Sequence, residues 1–212
     1  MKTVSIILSA IIAVFLSGCR PVSSNGFTEQ ELALIRNTSN GIMRVLTIED
    51  SLDTQILRAT STDLSCEALL SEDYAALCSQ MVATVTHPSQ DGVGIAGPQV
   101  GLNRRVVAVQ RFDKEGEPFE VYPNIRIVCL SDSTAYGPEG CLSVPGMRAD
   151  VLRSQEIVIE YADMQKLEAA ESSDRFKSDI IPTRRDTISG FTAVIFQHEV
   201  DHLDGILYID RL

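Results

Sequence analysis

The residues best suited to chemistry lie near the end of the sequence, in Phe196-Gln197-His198-Glu199-Val200-Asp201-His202-Leu203-Asp204-Gly205. The centre of this stretch reads H-E-x-x-H. On a helix, side chains four residues apart stand one turn above the other on the same face. The imidazoles of His198 and His202 would then reach a single metal ion at about 2.0–2.1 Å. Glu199, one position along, is suited to take a proton from a water activated at that ion. The chain has only three histidines, and two of them fall in this motif. The competing reading is a solvated helix that matches a short pattern by chance.

Two imidazoles do not complete a metal site. In the longer pattern H-E-x-x-H-x-x-G-x-x-H the third ligand lies downstream. Here Gly205 fits that pattern, but Tyr208 stands at the last ligand position. Ten residues follow His202, too few for a distant downstream helix to supply a carboxylate. The third ligand is therefore expected upstream, from His87, a cysteine or a carboxylate. His87-Pro88 reads first as a helix end.

Two upstream stretches carry further candidates. In Pro138-Glu139-Gly140-Cys141-Leu142-Ser143-Val144-Pro145-Gly146, Cys141 sits in a glycine-flanked loop. A thiolate there could reach a metal, and neighbouring N–H groups could point at a substrate. A buried inert thiol is the plain alternative, and the missing third ligand favours Cys141. The second stretch is Asp91-Gly92-Val93-Gly94-Ile95-Ala96-Gly97-Pro98-Gln99-Val100-Gly101. Its glycines let the backbone approach something closely. No Gly-Lys-Ser/Thr follows, which argues against a phosphate loop. Gln99 offers a side-chain amide that could donate to an oxyanion.

Several elements must position these groups. Ser71 reads as a helix N-cap with Glu72 and Asp73 in the first turn, and Leu77, Met81, Val82 and Val85 recur at helical spacing. Met43–Ile48, Val106–Gln110, Ile125–Leu130 and Ile157–Tyr161 read as strands, and Ile206–Ile209 as a short closing strand. Phe191–Phe196 leads into the H-E-x-x-H helix. The polar stretch 162–187 is expected as a long surface hairpin or a partly disordered insertion.

Over the whole chain, 212 residues with 44% apolar content fit one domain with a core. The net charge of −11 argues against nucleic acid as a partner. Residues 1–19 read as an export signal: Lys2, an apolar run from Val4 to Leu16, then Leu16-Ser17-Gly18-Cys19. The last four residues resemble a bacterial lipobox, in which Cys19 is lipidated. That predicts a protein lipid-anchored to a membrane on the non-cytoplasmic side of a bacterial cell envelope. Residues 20–40, rich in Ser, Asn and Thr, read as a flexible tether with one short helical patch, Glu29–Arg36. The domain is expected over 41–212. Cys66, Cys78 and Cys129 are expected as buried thiols rather than a disulfide.

Three motifs in order, Gly92-Val93-Gly94-Ile95-Ala96-Gly97-Pro98-Gln99, Glu139-Gly140-Cys141-Leu142-Ser143 and Gln197 to Gly205, resemble the peptide deformylase family. The resemblance covers residues 41–212. It implies an α+β fold, with antiparallel sheets packed around a central helix carrying the HExxH motif. It implies one divalent metal ion, Fe²⁺ in many members, with Zn²⁺ or Ni²⁺ able to occupy the site. Cys141, His198 and His202 would be the ligands, and Glu199 the general base and later proton donor. Gln99 and the backbone N–H of Leu142 would hold the formyl oxygen as it becomes an oxyanion. Val93, Gly94, Phe191, Val194 and Ile195 would shape a methionine pocket, and Arg148 would bind peptide backbone. Glu139 and Arg153 would pair to brace the cysteine. The implied activity is hydrolysis of N-formylmethionyl peptides or proteins to formate and a free amino terminus, by a monomer.

The sequence departs from the family pattern at several points. Gly97 stands where alanine is usual, so that loop is expected to be looser. Pro123-Asn124 reverses the usual order, 162–187 is longer than the common hairpin, and the sequence ends at Leu212, where many bacterial members carry a further helix. An export signal is unusual for an activity that acts on nascent chains. Two other classes stay open on sequence: an envelope metallopeptidase and a non-catalytic, deformylase-like binding protein.

Overall fold

The computed structural model describes residues 26–172 and 180–212. The export signal, Cys19 and the first part of the expected tether lie outside the described residues.

Helix α1 spans Glu29–Arg36 and starts at a reciprocal cap. The Thr28 side chain accepts from the Glu31 N–H, and the Glu31 carboxylate accepts from the Thr28 N–H at 2.7 Å. The expected flexible tether is therefore corrected from Gly26 onward. Ile35 is 1% exposed, its carbonyl accepts from Gln80 Nε2 at 2.8 Å, and Arg36 pairs with Asp73. Polar composition suggested a tether, but long-range contacts fasten this helix, and one short apolar face did not reveal them.

The segment that follows is also corrected. Met43–Ile48 belongs to no sheet: residues 43–47 carry no regular structure and Ile48 enters a turn. Its N–H groups go elsewhere: Met43 to Thr84 Oγ1 at 2.9 Å, Leu46 to the Gln99 carbonyl at 2.8 Å, and Ile48 to the Ser143 carbonyl at 2.9 Å. A β-rich composition looks the same whichever partner satisfies the backbone. Helices α2 (Ser51–Leu57), α3 (Cys66–Leu69) and α4 (Glu72–Val85) follow, capped by Asp50, Ser65 and Ser71. In α4, Leu77, Met81 and Val85 are fully buried, as their spacing predicts.

Among the described residues the strands form three antiparallel sheets. β1 (Gly94–Ala96), β2 (Val106–Gln110) and β3 (Phe119–Pro123) form one, in that order. β4 (Arg126–Leu130) and β7 (Glu156–Ala162) pair in the second, with β8 (Thr183–Ser189) beyond β7. β5 (Thr134–Cys141) and β6 (Val144–Ser154) make a long hairpin. β2 shows how the layers stack. Val106 and Ala108 pack with α4 residues, whereas Val107 and Val109 pack with Phe196 and Val200 of α6 (Gly190–Leu203). Both faces of this sheet are covered, which is why β2 reads as an unbroken apolar run.

α6 is buried without interruption from Ile195 to Leu203. It packs against β1, β2, β6 and β8. The architecture is α+β. Phe191–Phe196 lies inside α6 rather than ahead of it. The expected closing strand Ile206–Ile209 is instead a 3-10 turn over Tyr208–Arg211. Part of the 162–187 stretch is ordered as helix α5 (Met164–Ser172), anchored by the fully buried Leu167; residues 173–179 lie outside the described residues. Cys66 and Cys78 sit half-buried on separate helices, and Cys129 is exposed on β4, contrary to the expectation of a buried thiol.

Candidate active site

The chemistry-bearing residues converge from three elements. Cys141 ends β5, and the turn Leu142-Ser143 returns the chain into β6. The pairing register shifts between Gly140 and Cys141, an irregularity of the kind that re-aims a side chain. The Cys141 Sγ lies 3.2 Å from His202 Nε2, and the Ser143 N–H points at the same sulfur from 3.4 Å. Ligand atoms of Cys141, His198 and His202 all lie within 4.8 Å of one another. His87 does not join them. It is exposed past the end of α4, with Nδ1 2.7 Å from Ser89 Oγ. Tyr208, at the third-ligand position of the longer zinc pattern, stacks on the His198 ring instead, at 5.9 Å between centroids.

Glu139 fixes the orientation of His198. Its Oε2 lies 2.7 Å from His198 Nδ1, which leaves Nε2 to face the thiol. Burial opposes ionisation of Glu139, but its bonds to His198 and Arg153 outweigh it and hold the carboxyl down at about 2. Burial also disfavours a charged His198, yet contacts with Cys141 and Glu139 prevail and lift it to about 10. A proton and a metal cation compete for the same Nε2. His202 shows the opposite tendency: burial, then repulsion by His198 and Arg153, holds it neutral with a lone pair to donate.

The donor set is one thiolate and two imidazoles, which suits a borderline-soft divalent ion. The geometry agrees: the three ligand atoms lie within 4.8 Å of one another, with His202 Nε2 turned to the sulfur. Glu199 Oε2 and His202 Nδ1 are buried without a hydrogen-bond partner. The three side chains fit a metal.

Glu199 is buried beside them, and desolvation raises its carboxyl to about 7. It lies directly over Gly94, where any Cβ would collide with the carboxylate. Gly94 is thus required by close packing rather than by an unusual φ. Gln99 sits in the 3-10 turn Gly97–Val100. Its Oε1 accepts from the Ala96 N–H at 2.9 Å, which turns the amide N–H₂ toward Ser143 Oγ at 3.2 Å and Cys141 Sγ at 3.6 Å. The expectation that Gly97 loosens this turn is corrected. A Cβ at Gly97 would lie 2.7 Å from the carbonyl oxygens of both Leu102 and Arg104, so the missing side chain lets the turn close tightly.

A cavity of about 710 Å³ opens over these groups. Gln99, Cys141, Leu142, His198 and Glu199 line it. Val93, Gly94, Phe191, Val194 and Ile195 form an apolar part of the wall, and Arg148 stands on it too. His202 is 1% exposed and is not among the residues that line the cavity.

Several supporting residues were not found from sequence. Ser143 holds the Gln99 amide. Asp201 takes Arg153 Nη1 at 2.6 Å and Arg211 Nε at 2.6 Å, so the Glu139–Arg153 pair extends to the last turn of the chain. Asp201 lies inside the H-E-x-x-H motif, three positions past His198, which was the available signal. No local signal pairs it with Arg153, which is far away in sequence.

The profile of the polypeptide deformylase family matches residues 42–212. A peptide deformylase of Leptospira biflexa is 36% identical over 165 residues, covering 74% of this chain and 82% of that protein. A class I type b peptide deformylase of Acinetobacter baumannii, solved with bound Met-Ala-Ser, superposes with a TM-score of 0.65 at 30% identity, covering 81% of this chain and 98% of the other. The Thermotoga maritima peptide deformylase gives 0.64 at 27% identity, covering 81% and 97%. With the matched region spanning the cavity and all three candidate ligands, this chain belongs to the peptide deformylase family.

Proposed function

We propose that this hydrolase removes the N-formyl group from formyl-methionyl peptides or proteins, releasing formate and a free amino terminus. One observation carries the reading: Gln99, Glu199, Cys141 and His198 line one cavity beside an apolar wall, and buried His202 completes a cluster whose three ligand atoms lie within 4.8 Å of one another.

The residues divide the work as follows. Val93, Phe191, Val194 and Ile195 bury the methionine side chain, and Gly94 leaves room against Glu199. Arg148 binds the peptide backbone. Cys141, His198 and His202 hold the metal. A divalent ion there supplies Lewis acidity toward the formyl carbonyl and toward water. Glu199 accepts the proton of the attacking water and returns it to the departing amine. A carboxyl raised to about 7 by burial suits both steps near neutral pH. The Gln99 amide, pre-aimed by its bond to Ala96, and the Leu142 N–H donate to the oxygen as negative charge develops on it. Glu139 and Arg153 hold His198 and the hairpin of Cys141 in register.

Family resemblance gives Fe²⁺ as the usual ion, with Zn²⁺ or Ni²⁺ able to replace it. The order of Lys2, the apolar run and Leu-Ser-Gly-Cys supports lipidation at Cys19 and attachment at the envelope. Among the described residues no helix is long and apolar enough to cross a membrane. At the envelope the substrates are released formyl-methionyl peptides or exported formylated proteins. Purified protein is assayed with formyl-Met-Ala-Ser against its acetyl analogue. Release of formate with no acetate is expected. No turnover of either, or cleavage of an internal peptide bond, overturns the reading.

A further inference from the structure

Helix α1 lies ahead of residue 42, where the family match begins, yet it is bound to the turn that carries Gln99. Arg104 is the link. Its guanidinium is almost fully buried and holds both oxygens of Glu31, with Nε–Oε1 at 2.7 Å and Nη2–Oε2 at 2.8 Å. Nη2 also donates to the Gly26 carbonyl at 2.6 Å, and Nη1 to Thr62 Oγ1 at 3.0 Å. The Arg104 backbone, in turn, presses against Gly97. Its carbonyl and that of Leu102 come within 2.7 Å of the place a Gly97 Cβ would occupy, and the Leu102 N–H donates to the Gly97 carbonyl at 2.9 Å. α1 also stands beside the far end of the turn: Leu34 Cδ1 lies 3.3 Å from the place a Gly101 Cβ would occupy.

We propose that α1 is a positioning element for the reaction, in which Glu31 and Leu34, acting through Arg104 and Gly101, hold the Gly97–Val100 turn so that the Gln99 amide stays aimed. The inference rests on the deformylase reading for its catalytic consequence, but the coupling itself is a property of the fold. The physical reason is the buried cation. Arg104 cannot stay where it is without a carboxylate. When Glu31 is removed, the guanidinium moves toward water and relaxes the backbone packed on Gly97. An oxyanion donor works only within a few tenths of an ångström of its place, so loosening that turn costs rate.

The test compares the full-length protein with Glu31→Ala, with Glu31→Gln as a milder variant should the first fail to fold. Arg36→Ala serves as control, because it breaks the Arg36–Asp73 pair of the same helix without touching Arg104. Hydrogen exchange read by mass spectrometry should speed up about tenfold over residues 96–102 in Glu31→Ala, while 191–203 in α6 stays protected. kcat on formyl-Met-Ala-Ser should fall roughly 3- to 30-fold with KM unchanged. In a Gln99→Ala background the Glu31 substitution should cost nothing further. Arg36→Ala should leave the turn and kcat as they were. Unchanged exchange over 96–102, equal acceleration in α6, or the same effect from Arg36→Ala overturns the proposal. Should the unaltered protein fail to deformylate, the functional reading falls and the exchange comparison alone decides whether α1 braces the turn.

Discussion

Glu139 Oε2 and His198 Nδ1 share a 2.7 Å hydrogen bond inside the protein, and the same carboxylate is gripped through both oxygens by Arg153. The pair fixes which nitrogen of His198 is presented to a metal. Carboxylates behind a ligating histidine set ring orientation and basicity, and losing one costs about 10–100-fold in metal affinity. Glu139→Gln is therefore expected to weaken Zn²⁺ or Co²⁺ binding by that order, measured by competition with a chelator on folded protein. Wild-type affinity would mean that Glu139 only braces the hairpin.

Cys141 is expected to be the third ligand. Cys141→Ala should lose stoichiometric metal after dialysis, and Cys141→Asp should bind with altered geometry and lose most activity. A thiolate-to-metal absorption band in the Co²⁺ form checks the wild type directly. A full equivalent of metal in Cys141→Ala, with an unchanged spectrum, would remove Cys141 from the centre.

Glu199 is expected to move the proton. Its carboxylate lies against Gly94 and one oxygen has no hydrogen-bond partner. General acid–base groups supply roughly 10²–10⁴-fold in rate. Glu199→Gln should keep metal and fold and lose turnover of that order, with KM little changed. Near-normal kcat in that variant would show that another group carries the proton.

Much of this site was legible because its signals are local. His198 and His202 share a helix face by spacing alone, and Ser71 caps α4 as its type and its acidic neighbours indicate. Where the reading failed, the deciding partner was distant in sequence. Met43–Ile48 has the composition of a strand, but its hydrogen bonds end on Thr84, Gln99 and Ser143 rather than on a strand. Residues 26–36 look like a polar tether until Arg104, some seventy positions away, supplies the buried charge that holds Glu31. Gly97 looked like slack because a glycine frees the backbone. Here its missing side chain lets two carbonyls close in.

The Glu31–Arg104 pair has a consequence for stability. Burial disfavours an ionised Glu31, but hydrogen bonds from Arg104 and Thr28 outweigh it and hold its carboxyl below the usual range. A carboxyl depressed on folding stabilises the native state above its unfolded pKa, about 4.3, and that contribution fades as pH falls through the lower folded value. Glu31→Gln should cost about 2–3 kcal/mol at pH 7, because it leaves a buried guanidinium short of its counter-charge. The gap in urea midpoint between wild type and variant should be constant from pH 6 to 8 and should shrink below about pH 4. A gap that persists unchanged into acid would show that lost packing, not charge, accounts for the cost.

The proposed envelope location has consequences for the metal. Lys2, the apolar run from Val4 to Leu16 and the sequence Leu-Ser-Gly-Cys at 16–19 predict export and a lipid on Cys19. A single acyl chain anchors only reversibly, so two or more chains at Cys19 are expected for a stable hold. Outside the cytosol both Fe²⁺ and the Cys141 thiolate are open to oxidation, which favours Zn²⁺ as the working ion. Metabolic labelling with a palmitate analogue, followed by fractionation, should place label and protein in the membrane fraction, and Cys19→Ala should release unlabelled protein. Protein that starts at Met1, carries no label and stays cytosolic in both forms would return this enzyme to deformylation at the ribosome.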